Sequence, residues 1–538
     1  MRRLVLLALV TTLLATACAE GGGDRQVASE PPSRLRVAVT RDFGSLNIFA
    51  ADFDEEGLTE LVYDKLLAPS PYVREPQPWL ATRVIALDSS TWQVTLREDV
   101  TWHDGEPFNA DDVAFTIEYF KKAPTGRWTH HVSEVPEISQ VEVVDPTTLR
   151  LRCAYPCPEL GTITLADLPI IPEHLWRGIA QPRQSPAPPV GTGPYRLADY
   201  SPTTGYRFEA NEQYFAGKPR IRELLMPVIP DPSTAFTALR TGEIDVADRP
   251  VPPELADELR GAPGIELISS APLEFPELRL NFQRPAFANH EVRRALSLAV
   301  DREALLRIVA LGQGRAAMKG YPHPDSPWTN PNLNTPYDPG AARAILDSAG
   351  FADRNGDGTR EAPDGTPLAF SIQVTATEPV EVRAAELLSE QFSTVGASAN
   401  VQPVDAGTID GLFRMRQFDA YVNVISAHGV ADPTQYIMSH RSGYLWDAPE
   451  VPYPAWDALH ERWRQAATLD ERTQTLFEMQ ELFNRQPTAI PLYYPEVSYA
   501  VRPASYDGWV TLPGYGVMHK WSLLPEDVGR AANAVQAE

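Results

Sequence analysis

Basic residues and cysteine are scarce in this chain, and past its first residues there is no long apolar run. Its 538 residues carry 47 Lys and Arg against 71 Asp and Glu, a formal net charge of -24. A phosphate backbone demands a basic surface, so this balance argues against a nucleic-acid partner. It does not identify a ligand, because acidic surfaces also keep exported proteins soluble. After residue 14 no stretch approaches the ~20 apolar residues of a membrane-spanning helix. Catalytic constellations are missing as well. His290-Glu291 begins like a zinc-protease helix, but Arg294 stands where the second histidine belongs. Gly312-Gln313-Gly314 lacks the third glycine of a dinucleotide loop, Gly217-Lys218 lacks the rest of a P-loop, and no Gly-x-Ser-x-Gly elbow occurs. Acidic pairs such as Asp111-Asp112 and Glu55-Glu56 read as solvated helix starts. The sequence therefore predicts a protein that is not an enzyme and requires no cofactor.

What is present begins with a secretory signal. Arg2 and Arg3 precede the apolar stretch Leu4 to Leu14, and Ala15-Thr16-Ala17 supplies small residues before Cys18. A cysteine there resembles the bacterial lipobox, in which the thiol is acylated and becomes the new N-terminus; ordinary signal cleavage is the alternative. Glu20-Gly21-Gly22-Gly23-Asp24 reads as a flexible tether. The expectation is a lipid-anchored protein on the extracytoplasmic face of a bacterial membrane or in the periplasm. Setting Cys18 aside leaves Cys153 and Cys157 as an even pair. In an oxidising compartment they are expected to close a small structural disulfide; the alternative, half of a zinc site, lacks a second ligand pair.

The rest of the pattern is α/β in several blocks, without internal repeats. Alternating strands are expected at 35–39, 92–97, 278–282, 399–404, 418–425, 490–494 and 498–501. Asn109 with Asp112 predicts a capped helix bearing Val113, Thr116, Ile117 and Phe120 on one face. Further helices are expected at Ser233 to Thr241, stopped by Gly242, and from Asn289, from Asp338-Pro339, at 380–395, at 455–467 and at 470–484. Asp353, Asn355, Asp357, Thr359 and Glu361 place oxygens at alternate positions around Gly356, with Asp364 where a calcium loop has its last ligand. That makes the loop a candidate structural calcium site; the alternative, which the residues favour, is an Asp-Gly-rich β-hairpin turn.

Several segments together are similar to the extracellular solute-binding proteins of peptide, oligopeptide and nickel ABC importers, bacterial solute-binding protein family 5. They are Trp92 to Phe120, Gly191-Thr192-Gly193-Pro194-Tyr195, Asn211 to Phe215, Ala238 to Asp245, Leu278 to Leu305 and Gln474 to Trp509. The resemblance implies a two-lobed periplasmic-binding-protein-like fold (type II, large variant) with an extra subdomain inserted in the first lobe. After a signal peptide at 1–18 and a tether at 19–33, the first lobe would combine 34–60, 192–272 and 488–526. The extra subdomain would span 61–191, the second lobe 273–487 and a tail 527–538.

The implied partners are a peptide or other small solute and an ABC permease, with the chain itself monomeric. Solute contacts are expected on loops after strand ends. One group is Phe43, Ser45 and Asn47; the other is Ser426, His428 and Gly429, with Tyr436 and Trp446 as aromatic walls. Peptide-binding relatives carry an acid in the second loop for the free amine, whereas here Asp432 is the nearest acid. The solute class stays open among peptide, sugar, nickel chelate and opine. The rival functions are a receptor serving signalling or adhesion, and an extracellular hydrolase.

Overall fold

The computed structural model describes residues 32–528 apart from 50–55, 72–74, 123–127, 134–135, 185–188, 271, 377, 406–407, 410, 413–414, 426–432, 434–435, 438–439 and 443–452. The signal segment with Cys18 and the end of the tail lie outside the described residues. No helix among them is long and apolar enough to cross a membrane.

Leu35 and Val37 are fully buried on alternate positions of the strand Arg34–Ala38, as a strand covered on its faces requires. It pairs in parallel with Glu223–Met226 on one side and Val246–Ala247 on the other. The resulting seven-stranded sheet runs Glu266–Ser270, Val497–Val501, Val246–Ala247, Arg34–Ala38, Glu223–Met226, Gly205–Ala210, Tyr195–Ser201. A second sheet of five strands runs Ser398–Val404, Ala369–Thr375, Ala420–Ile425, Phe275–Leu280, Ala489–Pro491. A third, of four strands, runs Ala81–Ala86, Thr91–Leu96, Thr148–Cys153, Ile138–Asp145 and forms the subdomain.

The chain passes from the first sheet to the second between Ser270 and Phe275 and returns at Glu496. This return corrects the expected start of the last first-lobe segment at 488. Ala489–Pro491 pairs with Phe275–Leu280, and Tyr493–Pro495 pairs with Gly314–Ala316, so both belong to the second lobe. Two buried arginines hold them there. Arg293 Nε donates to the Pro487 carbonyl at 2.6 Å, and Arg302 Nε to the Pro491 carbonyl at 2.9 Å.

Helix starts follow local chemistry. Asn109 Oδ1 accepts from the Asp111 amide at 2.8 Å, while the Asp112 carboxylate accepts from the Asn109 amide at 3.1 Å. This reciprocal cap opens Ala110–Lys122, whose Val113, Ile117 and Phe120 are buried. Pro232–Thr241 starts a residue earlier than expected, because Asp231 accepts from the Thr234 amide at 2.7 Å and Pro232 fits the first turn. Gly242 ends it at φ 80°, a conformation costly for other residues. Leu469–Arg485 likewise starts at a Thr468–Glu471 capping box.

Subdomain and first lobe share one apolar core, in which Phe49 stacks on Phe120 with ring centroids 5.0 Å apart. Beside it lies a cluster of charges with almost no exposure. Lys65 Nζ is 2.9 Å from Glu60 and 3.4 Å from Asp167. Lys520 Nζ is 3.2 Å from Glu60 and 3.1 Å from Asp64. Asp64 also accepts from Trp79 Nε1 at 2.7 Å, Tyr214 OH at 2.9 Å and Thr192 Oγ1 at 3.1 Å. His131 Nε2 lies 2.9 Å from Asp167. Burial alone would raise the Glu60 carboxyl, but the two lysines overcome it and hold it down at about 2.

Removing one cation from this cluster leaves carboxylates buried and short of charge. Lys520→Met is expected to cost about 3–5 kcal/mol, read as a fall in the urea midpoint. Acid acts in the same direction through two windows. His323, His460 and His519 are each pushed down to about 4, chiefly by burial, so their contribution is full above the ordinary value of 6.5 and is lost as pH falls from there towards 4. The Glu60 contribution is full above its ordinary 4.5 and is lost as pH falls towards 2. Urea midpoints should therefore drop steadily from pH 7 to pH 3, and a level profile between pH 7 and 4 would contradict the histidine part.

Candidate functional site

Parallel strands of the first sheet end together, and their carboxyl-terminal edge carries the loops at Val39, Val228 and Ala247. That edge faces the second lobe. Beyond Val246–Ala247, the Arg249 guanidinium is lowered from its usual value by burial, against the opposing pull of Asp231 and of Glu378 on the second lobe. A few residues on, Arg383 Nη2 of the second lobe meets Glu254 Oε1 at 2.6 Å, and Gln313 Nε2 donates to the Pro253 carbonyl at 3.3 Å. The loop that follows Ala420–Ile425 of the second lobe lies outside the described residues.

The first-lobe lip is the loop after Arg34–Ala38. Asp42 Oδ1 accepts from Tyr200 OH at 2.8 Å, Tyr206 OH at 2.8 Å and the Gly44 amide at 2.9 Å. Tyr206 OH in turn accepts from the Phe43 amide at 2.6 Å. Partial burial would raise the Asp42 carboxyl, yet these donors together hold it below its usual value. The same contacts and burial push the Tyr200 phenol up to about 12. The two tyrosine rings stack at 4.9 Å, and the Arg41 guanidinium lies 5.0 Å from the centre of the Phe43 ring. Gly44 and Leu46 both take positive φ, 66° and 56°, so the loop is bent to a fixed shape before any solute arrives. Sequence reasoning missed Tyr200 and Tyr206. The available signal was a turn, Thr203-Thr204-Gly205, that brings the two tyrosines side by side next to an acid directly after a strand.

The residues expected to contact solute divide. Phe43 is half-buried and Ser45 exposed on the lip. Asn47 instead braces the loop, with Nδ2 donating to the Pro182 carbonyl at 2.7 Å and Oδ1 accepting from the Phe49 amide at 2.9 Å. Tyr436 is no exposed wall: it is buried, stacked on Tyr321 at 4.5 Å and edge-on to Trp456 at 5.3 Å. Ser426, His428, Gly429, Asp432 and Trp446 lie outside the described residues. Cys153 and Cys157 form a disulfide, with Cα atoms 6.4 Å apart, which removes the half-zinc-site alternative. Of the calcium set, the carboxylates of Asp353, Asp357 and Glu361 converge within 4.8 Å. Asn355 Nδ2 and the Thr359 amide donate to Asp357, at 3.0 Å and 2.7 Å, and so shape the loop. Asp364 is not in the cluster, because it accepts from the Thr366 amide in the next turn, at 2.9 Å. Positive φ at Gly356 and Gly358, between paired Ala352 and Glu361, also fits the hairpin-turn alternative.

Two α/β lobes, joined by two chain crossings and facing each other with loop-bearing sheet edges, define a receptor that closes around a solute. The model of bacterial extracellular solute-binding proteins, family 5 (middle region), matches residues 75–446, and the chain belongs to that family. It is 29% identical over 433 residues to Protein XP55 of Streptomyces lividans, covering 80% of this chain and 77% of that protein. It is 28% identical to the nickel-binding periplasmic protein of Escherichia coli, covering 71% and 74% of the two chains. Among solved structures, NikZ from Campylobacter jejuni in complex with Ni(L-His) superposes with a TM-score of 0.77 at 25% identity, covering 88% of this chain and 94% of that one. AppA from Bacillus subtilis in complex with a nonapeptide shares the fold, with a TM-score of 0.73 at 22% identity and 88% and 95% coverage.

The lip is open to a local test. Tyr206→Phe removes the acceptor of the Phe43 amide and a donor to Asp42. Hydrogen–deuterium exchange in segment 41–46 is expected to quicken, with a global stability loss of only about 1 kcal/mol. Unchanged exchange in that segment would show that the tyrosine does not hold the loop.

Proposed function

We propose that this protein is the solute receptor of an ABC importer, enclosing a peptide or other small solute between its lobes and delivering it to a membrane permease. The observation that carries the reading is the paired crossing of the chain, between Ser270 and Phe275 and at Glu496, which joins two α/β lobes that meet at Arg383–Glu254 and Gln313–Pro253. Ligand bridging both lobes stabilises the closed form, and a permease that recognises that form reads occupancy. Relatives named as an oligopeptide-binding protein, a dipeptide-binding protein and a nickel-binding protein support solute capture as the task. They are binding proteins by name and not enzymes, and no covalent step is assigned to this chain. The family's extracellular character and the layout of residues 2–18 support acylation of Cys18 and an extracytoplasmic, membrane-tethered receptor. Convergence of Asp353, Asp357 and Glu361 supports a structural calcium on the second lobe, away from the lip.

Native mass spectrometry of the purified protein tests the main reading. A reproducible extra mass that is lost on unfolding is expected, and its fragmentation gives the solute class. A bare chain, followed by silence in a thermal-shift screen of peptides, sugars and metal chelates, would turn the reading towards signalling or adhesion. For calcium, the expected outcome is a higher melting temperature in calcium than in chelator, a difference abolished by Asp357→Ala. Equal melting of the parent in both buffers would exclude the ion.

A further inference from the structure

The subdomain also reaches the second lobe. The loop closed by Cys153 and Cys157 is seated on its own sheet: the Cys157 amide donates to the Ser89 carbonyl at 2.9 Å, and Trp92 Nε1 to the Cys157 carbonyl at 3.2 Å. From this platform it meets the helices Pro454–Gln465 and Leu469–Arg485 of the second lobe. Arg472 is fully buried in the seam. Its Nε lies 3.4 Å from Glu159 Oε2, which is itself 1% exposed, and its Nη2 donates to the Pro156 carbonyl. The guanidinium lies 3.9 Å from the centre of the Trp463 ring, while Arg464 covers the Tyr155 ring at 5.0 Å. Ile163, next along the subdomain, enters the apolar cluster of Phe275, Tyr321, Trp456 and Leu476 on the second lobe. A groove of about 310 Å³ between Asp88, Trp92 and Pro158 on one side and Thr468 and Leu469 on the other shows that the seam is incompletely packed.

We propose that Glu159 and Arg472 are the two halves of a clasp that sets how readily the lobes close; the proposal rests on the receptor reading for its consequence, because the same equilibrium fixes solute affinity. Closing strips water from both charges, and their attraction, the Pro156 carbonyl and the Trp463 ring return that cost. In the open form each charge regains water. These are positioning residues: they act on lobe geometry and need not touch solute.

The test is small-angle X-ray scattering of the purified full chain without added solute. Glu159→Gln leaves Arg472 charged in an apolar seam, and a shift to a larger radius of gyration is expected, with melting still cooperative. Glu159→Leu combined with Arg472→Met removes both charges and is expected to bring the radius back to the parent's. A Glu159→Gln curve that superimposes on the parent's overturns the clasp, and so does a double variant that stays expanded. Should Glu159→Gln not fold, Glu159→Asp, which draws the carboxylate back from Arg472, puts the same question: expansion supports the clasp and an unchanged radius overturns it. The mass of a bound solute is read independently, so failure of the clasp and failure of the receptor reading are told apart.

Discussion

Two lysines shut away from water organise the first half of this molecule. Lys65 and Lys520 together face Glu60, Asp64 and Asp167, and these residues come from the start of the first lobe, from the subdomain and from the end of the chain. Buried charge tolerates little freedom, since any partner that drifts leaves an ion without compensation. The cluster therefore fixes how the subdomain, the Gly191–Tyr195 segment and the C-terminal segment lie on one another. The shared apolar core supplies most of the burial; the ions supply a single admissible arrangement for it.

On that frame the parts that handle a solute are few. The lip after the first strand is shaped by one acid and two tyrosines, and its bend is paid for by backbone held at positive φ. The second lobe hangs from two short crossings and is tied to the first lobe by Arg383–Glu254 and to the subdomain by Arg472–Glu159. Two lobes joined by two short crossings can rotate about them, which is what a capturing receptor needs.

Much of the architecture was legible in the sequence because local chemistry and periodicity agree with the fold. Asn109 with Asp112, Asp338 with Pro339, and Gly242 mark helix ends by hydrogen bonds made within a few residues, so they can be read without tertiary knowledge. The lobe boundary at 488 was misjudged because Ala489–Pro491 is recruited by distant arginines, Arg293 and Arg302, which leave no local trace. Asn47 and Tyr436 were expected to meet solute from position and residue type. Whether a polar or aromatic side chain is spent on bracing or offered to a ligand depends on neighbours such as Pro182 and Tyr321, far off in the chain. Lys65 and Lys520 gave no signal either, for a lysine that will be buried looks in sequence like any other.

The strand Val497–Val501 sits inside the seven-stranded sheet, between Glu266–Ser270 and Val246–Ala247. The first lobe thus opens at one end of the polypeptide and is completed at the other. During synthesis its early strands wait with open pairing positions while the second lobe is made, and contacts of such long sequence separation form late. Order of manufacture and order of assembly are in this way set against each other. A polypeptide that cannot finish its first lobe until Val497–Val501 arrives keeps that lobe short of its full core through most of its synthesis.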